Sequence, residues 1–485
     1  MMSSKQISYP SLKAILQYME ANQRIQLAIQ CPEVRTADRV APLHARLIYL
    51  GRTFIQINKI LYHFGVIRHF PPNCGPELFH ENNRKGGAQN ELDEFSTRDL
   101  LADYEFLEGD VFIQSPDNPF VIRDEEEDNQ MHEGNQRRLE DLRMLEEVAP
   151  DPERRELIEL MEAGIYTWQH RKRGVKPKVT HFIQMTTVLR EGRRIERVEY
   201  RRRMYEGVKY ILNRFLGDRK YPVRTPNLRL DLKGGIIRLP ETLKFLVSGI
   251  GISCQVDQIM RALEDVIVKE SFPLDHLKIN GTDDFGLVRN SEHQVVRTAR
   301  RVTFYNRSQT NEWFDIIMNA ENLILEFLNC YFSTEQLSLI VDKLVAEKRC
   351  RGTRWSFGIG KKERVMDFLH FIARKPGFIA AEYEECPEIQ FLLVLPITEE
   401  TTLQIRCNYL ANTSYYEDKE RPNWLIKISV GGDVTILESE EERFRRRMGQ
   451  EVKRWKLGTV SAFFVSFIGL VVWFLMNMYE HYRRK

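Results

Sequence analysis

His276-Leu-Lys-Ile-Asn280, Arg301-Val-Thr-Phe-Tyr305 and Leu323-Ile-Leu-Glu-Phe327 decide the fold. Each run sets apolar against polar or charged positions, as a short strand with one covered face does. Their starts lie 25 and 22 residues apart (276 to 301, 301 to 323). Beside them lie stretches with helical spacing: Val256 to Val268, Glu312 to Met318 and Ser333 to Glu347. Ser333 followed by Gln336 three residues on has the reciprocal capping pattern of a helix start. Strand and helix recurring at this period predict a leucine-rich-repeat-like βα arch, in which each unit buries its apolar face only against its neighbours. The repeat's asparagine does not recur, and an ordinary α/β sandwich is the alternative.

The pattern extends in both directions. Asn227-Leu-Arg-Leu-Asp-Leu232 and Leu243 to Val247 read as strands upstream, and Thr353 to Gly358 as one downstream. Glu363 to Ala373 follows as a helix, and Ile389 to Leu395, Leu403 to Tyr409 and Trp424 to Val430 as strands. Val179 to Leu189 and Arg194 to Tyr200 bracket Glu191-Gly192-Arg193, which predicts a β-hairpin. In Met204 to Leu216, Tyr205, Val208, Ile211, Leu212 and Phe215 recur at helical spacing. The main domain is thus expected over 166–435.

Residues 7–65 read as a small module of helices and strands. Pro10 and Ser11 open a helix with Leu12, Ile15, Leu16 and Met19 on one face. Gln23 to Gln30 is a second helix, stopped at Cys31-Pro32. Arg46 to Leu50 and Thr53 to Ile57, around Gly51-Arg52, predict a strand pair. Residues 66–165 differ: positions 91 to 163 hold 24 Asp/Glu against 7 Lys/Arg. They read as a solvated, partly disordered acidic insertion, with a charged helix over Arg137 to Val148. Residues 171 to 224 hold 17 Lys/Arg against 5 Asp/Glu. That basic block is expected to face the acidic insertion or another charged surface. Nucleic acid is disfavoured, because the aromatics here fall on the helical core face.

At the other end, Leu457 to Met478 carries no charged residue, and its 22 residues would span about 33 Å as a helix. A charged juxtamembrane helix (436–456) precedes it and a short basic tail (479–485) follows. No apolar leader stands at the start of the chain. The expectation is a single-pass, tail-anchored protein with its bulk in the cytosol.

The 485 residues are 42% apolar and 29% charged, with a net charge of +2. This excludes a wholly disordered chain and a disulfide scaffold. None of the seven cysteines is at C-x-x-C spacing, and no H-E-x-x-H or G-x-S-x-G occurs. Asp284-Phe-Gly matches a kinase metal-binding triplet without the kinase's other parts. Phe357-Gly-Ile-Gly-Lys-Lys362 lacks the first glycine and the Ser/Thr of a phosphate loop. No catalytic, cofactor or metal residue is therefore expected, and the chain reads as a non-enzyme.

Several segments together resemble a known family. They are Tyr9-Pro-Ser-Leu12 through Cys31-Pro32, Val223-Arg-Thr-Pro-Asn-Leu-Arg-Leu-Asp-Leu232, Arg238-Leu-Pro240 and Ser271-Phe-Pro-Leu274. Arg351-Gly-Thr-Arg-Trp-Ser-Phe-Gly-Ile359 and Trp424-Leu-Ile-Lys-Ile428 complete the set. The set resembles a large nematode-expanded family of uncharacterised F-box-like and F-box-associated proteins. The resemblance implies an F-box-like module over 7–65 and an F-box-associated-like α/β domain over 166–435. It also implies that Leu12, Ile15, Leu16, Met19, Ile25 and Leu27 form a face docking the adaptor of a cullin-type ubiquitin ligase. The opener is Tyr9-Pro10 instead of Leu-Pro, and strand-like Leu47 to Ile57 stands where a third helix is usual. The expected function is a membrane-anchored protein-interaction protein recruiting substrates through the repeat-like sheet. The alternatives are a structural membrane tether or scaffold, and an enzyme at the membrane surface.

Overall fold

The computed structural model describes residues 8–72, 74–113, 125–230, 235–252, 256–280, 292–305, 312–381, 392–398, 400–409 and 424–431. Three short helices open the chain: α1 (Tyr9–Tyr18), α2 (Ala21–Gln30) and α3 (Pro32–Arg39). Then come β1 (Ile48–Leu50), β2 (Phe54–Ile57), β3 (Ile60–His69), α4 (Glu77–Arg84), α5 (Leu100–Asp103) and β4 (Val111–Ile113). Two long helices, α6 (Glu125–Val148) and α7 (Pro152–Lys172), precede the hairpin β5 (Thr180–Leu189) and β6 (Gly192–Glu199). Next are α8 (Met204–Leu216), β7 (Val223–Thr225), β8 (Leu228–Leu230), β9 (Gly235–Ile237), β10 (Phe245–Val247) and β11 (Gly249–Ile252). The alternating tract runs α9 (Val256–Ala262), β12 (His276–Asn280), α10 (Gln294–Thr298), β13 (Arg301–Tyr305), α11 (Glu312–Met318), β14 (Ile324–Leu328), α12 (Thr334–Ala346), β15 (Arg354–Ile359) and α13 (Lys362–Ala373). It closes with β16 (Ile379–Ala381), β17 (Leu392–Pro396), β18 (Thr402–Tyr409) and β19 (Trp424–Gly431).

Fifteen of the described strands form one sheet, in the order β16-β17-β18-β19-β15-β14-β13-β12-β11-β8-β1-β2-β3-β5-β6. Its centre is parallel. Strands β8, β11, β12, β13, β14 and β15 each pair with the next in that list, and β1 adds in parallel to β8. Antiparallel strands extend both ends. This is the order a βα arch produces, since each right-handed crossover sets the next strand beside the last. The register aligns Ile48, Leu228, Ile250, Leu277, Val302, Leu325, Trp355 and Ile428 in one ladder. All eight are at most 2% exposed. A second ladder joins Ile279, Phe304, Phe327, Phe357 and Ile426. Both ladders share one core with Val208, Leu212, Ile259, Ile317, Ile340 and Phe368 from the helices. The helices therefore cover one face of the arch.

Local chemistry places the elements. Ser333 caps α12, its hydroxyl accepting from Gln336 N while Gln336 reaches back to Ser333 N. Asn322 is buried just before β14. Its amide donates to the carbonyls of Val296 and Ala299 at 2.8 Å each, fixing the turn between successive units. The hairpin β5–β6 forms with two residues in its loop, and every β6 residue is exposed. Arg193, Arg194, Glu196, Arg197 and Glu199 keep that outer edge charged and unsuited to further pairing.

The N-terminal helices are locked to the main body by a buried ion cluster. Asp38 on α3 accepts from Arg24 Nε on α2 and from Arg219 Nη2 at 2.9 Å. Arg219 also donates to Phe215 O at the end of α8. The three side chains are at most 5% exposed. The remaining Arg24 nitrogens donate to the carbonyls of Leu16, Asp38, Ala41 and Pro42.

The acidic and basic blocks meet each other. Arg171 pairs with Asp93 at 2.6 Å, Lys172 with Glu133 at 2.8 Å, Lys176 with Glu94 at 2.5 Å and Arg203 with Asp99 at 2.9 Å. The fully buried carboxylate of Asp110 holds Arg238 and Lys209. Glu91, also buried, accepts from Met204 N, Tyr205 N and the Tyr200 hydroxyl, so it caps the first turn of α8 from a distant part of the chain. The described residues between 91 and 172 are thus largely helical and pair with the basic block, with α6 longer than the expected 137–148 helix.

The sequence-based expectations need two corrections. Cys31-Pro32 ends α2 but does not end the helical module: Pro32 is the first residue of α3, where its fixed φ and missing N–H are harmless. The third helix therefore precedes the strands; it is not replaced by them. The transmembrane element is also not supported. No helix among the described residues is long and apolar enough to cross a membrane. The longest, α6 and α7, are strongly charged. The expected membrane helix Leu457 to Met478 and the charged helix before it lie outside the described residues. The single-pass, tail-anchored reading and the cytosol-facing localisation built on it are withdrawn.

A half-buried histidine is expected to give the fold a pH dependence. His181 meets Ser96 Oγ at 2.7 Å. Burial, and then the Arg68 guanidinium, hold its pKa down to about 4. Between pH 6.5 and 4 the unfolded chain binds a proton here that the folded protein refuses. Stability should therefore fall as the pH drops through that window, and His181→Gln should flatten this part of the curve. Urea melts at stepped pH check it; an unchanged slope in the variant contradicts it.

Candidate functional site

Two surfaces stand out, one on α1 and one on the parallel sheet. Of the six residues expected to dock an adaptor, Leu16 and Ile25 are buried within the protein. Leu12, Met19 and Leu27 are partly buried and pack with Leu16, Val34, Ala37 and Ala41, holding the three helices together. Only Ile15 faces solvent, at 49% exposure. The structure surrounds Ile15 with residues the sequence reading passed over. Ser11, Ala14, Ile15 and Tyr18 are all exposed, Tyr18 at 91%. They recur at i, i+3, i+4 and i+7, which sets them on one face of α1 beside the packed one. Helix α1 is therefore two-sided: one stripe builds the module, and the adjoining one exposes Ala14, Ile15 and Tyr18, with the Ser11 hydroxyl 2.8 Å from that of Ser8. The same ten residues carried the signal, but the reading merged both stripes into one.

The second surface is the sheet face opposite the helices. The positions facing away from the helices form two rows, in which Thr303, Ile324 and Ser356 are buried and the others half-buried. One contains Arg229, Gly251, Lys278, Thr303, Glu326, Ser356 and Lys427, in register across seven strands. The other contains His276, Arg301, Ile324, Arg354 and Ser429. Thr303 Oγ1 donates to Glu326 Oε2 at 2.9 Å and lies 3.2 Å from His276 Nε2. Lys278 Nζ stands 4.2 Å from the centre of the Tyr305 ring. Between the rows' first strands, β11 presents only Gly249 and Gly251. A Cβ on Gly249 would lie 2.9 Å from Pro226 O, and one on Gly251 would meet the Arg229 side chain at 3.2 Å. Glycine there lets the Pro226 carbonyl and the Arg229 side chain approach the strand closely. The sequence marks these residues as the outward members of each strand; only the register brings them together.

Chemistry-bearing clusters are sparse. Among the described residues no group of three His, Cys, Asp or Glu side chains could hold a metal ion. The buried thiols of Cys330 and Cys407 are both pushed up to about 12, chiefly by burial, which disfavours a thiolate. A cavity of about 70 Å³ beside Leu216, Tyr221 and Leu243 is far below the ~300 Å³ of a small ligand-binding cleft. Gly360 and Lys361 form the turn from β15 into α13; the Asp284 triplet lies outside the described residues.

Together these features define a mixed α/β protein built on one large sheet, with a parallel βα arch at its centre. A family model described as a domain of unknown function (DUF3557) matches residues 203–361, from α8 to just past β15. That match covers about a third of the chain and most of the arch. No curated protein and no solved structure matches.

Proposed function

We propose that the chain is a non-catalytic protein-interaction protein in which the N-terminal helices dock a partner helix and the arch carries a recognition surface. The observation that carries this reading is the exposed apolar stripe Ala14, Ile15 and Tyr18 on a helix whose other side is packed. With Ser11 they stand at i, i+3, i+4 and i+7, the spacing of one helix face that suits a helix-in-groove contact. Aromatic and branched side chains held on a rigid helix lose little entropy on docking. The three-helix order of α1, α2 and α3 fits the F-box resemblance better than two helices would, so the adaptor of a cullin-type ubiquitin ligase is the favoured partner. The Arg24–Asp38–Arg219 cluster then serves as the rigid joint between docked module and arch.

The test uses the full chain and the purified adaptor subunit. Ile15→Asp with Tyr18→Asp should weaken binding by at least about a hundredfold, since two central anchors at ~2 kcal/mol each are lost. Both positions are exposed, so far-ultraviolet circular dichroism should stay unchanged. Wild-type protein that does not bind the adaptor, or a double variant that binds as well as wild type, defeats the reading.

A further inference from the structure

The arch face carries more positive charge than its own chain uses. Its outward positions include Arg229, Lys278, Arg301, Arg354 and Lys427, with Glu326 the one carboxylate in the two rows. The side chains of Arg229, Arg301, Arg354 and Lys427 make no hydrogen bond or ion pair among the described residues. Arg301 Nε is sealed from water and unpartnered. This contrasts with the acidic and basic blocks, whose charges pair with each other. A half-buried guanidinium with no acceptor is costly unless something else supplies one. Arg301 and Arg354 flank the buried Ile324, two strand spacings or roughly 10 Å apart. Leu328 and Leu425 add partly exposed apolar surface on the same face.

We infer that this face binds an extended acidic segment of a partner protein, with carboxylates meeting Arg301 and Arg354 and an apolar residue settling over Ile324. The inference deepens the recruiting role by naming the class of protein recruited, and it rests on that reading. Planar guanidinium groups accept carboxylates through two parallel hydrogen bonds, which gives both affinity and register. Nucleic acid is the poorer fit: Glu326 sits within the cationic rows, and Ile324 separates the two arginines where a phosphate chain would need charge.

The probe is a fluorescein-labelled peptide of about a dozen residues that alternates Glu with Leu or Ala, titrated with full-length protein and followed by anisotropy. Saturable binding that weakens as salt rises from about 50 to 200 mM is expected. Arg301→Glu with Arg354→Glu should weaken it at least tenfold. Arg354→Glu with Lys427→Glu supplies a second pair, one that spares the sealed Arg301. Arg193→Glu with Arg194→Glu, on the exposed β6 edge, should change it less than twofold. No binding by wild type, equal losses from the β6 pair, or tighter binding of single-stranded DNA or of a phosphoserine peptide overturns the proposal. Adaptor affinity measured on the same sheet variants should stay at the wild-type level. Loss of adaptor binding in wild type with peptide binding intact would reject the adaptor and leave the acidic-segment site standing.

Discussion

Arg24→Met should unfasten the N-terminal helices. In native-state hydrogen exchange, amides of α1, α2 and α3 should lose roughly 10²–10³-fold protection while the ladder strands keep theirs. The substitution removes a guanidinium 1% exposed that pairs with Asp38 and serves four backbone carbonyls. Breaking a buried pair costs about 3–5 kcal/mol, because the surviving charge is stranded. Asp38 keeps Arg219, which softens that part of the loss. The carbonyls of Leu16, Ala41 and Pro42 lose this donor altogether, and each buried orphan adds to the cost. An apolar replacement of the whole ion cluster is therefore not neutral here, as it can be when a buried pair serves only itself. Protection in α1–α3 within tenfold of wild type would show that the cluster is not the joint.

Trp355→Ala should be the most damaging single change in the arch, at about 3–5 kcal/mol. Trp355 is fully buried between Leu325 and Ile428 in the central ladder, and its indole N–H donates to Asn322 O at 3.1 Å. Deletion opens a large cavity in a core that has no slack and frees the carbonyl of the residue that fixes the preceding turn. Trp355→Phe keeps most of the volume and loses the hydrogen bond, so its cost should be well under half. Urea midpoints for the two variants, read on the near-ultraviolet signal, separate the contributions. Equal losses from Phe and Ala would mean that the hydrogen bond, not packing, dominates.

Much of the arch was legible because its physics is local. Alternation marked the strands at His276 and Arg301 and just after Leu323, helical spacing marked the helix at Met204, and the Ser333–Gln336 capping pair marked the start of the helix at Thr334. Other elements hid for identifiable reasons. Strand β11 has glycine at 249 and 251, so no polar side chain announces its outward face. Strand β3 is covered on both sides along much of its length, which erases the alternation, and it was passed over as the end of a module. Pro32 reads equally as the end of one helix or the start of another, and only the structure separates the two. The acidic block looked solvated because its counterions, Arg171, Lys176 and Arg203, lie many residues away in the chain.

The candidate sites divide the same way. The inner stripe of α1 was named from spacing, and Leu16 is buried as that stripe demands. The outer stripe required knowing which side the other helices take. On the sheet, each cation was visible in its own strand, but nothing local reveals that Arg301 and Arg354 converge on Ile324. Register is a long-range property, set by the two ladders of the core.

The central claim is that the outer stripe of α1 is a docking face. A photo-crosslinking benzophenone side chain placed at position 18, in place of Tyr18, tests it most directly with the purified adaptor. The same group at Tyr210, an exposed position on α8, is the control. Adduct with the adaptor from position 18 and none from position 210 is the predicted result. Adaptor binding with no adduct from position 18, or equal adduct from both positions, would contradict it.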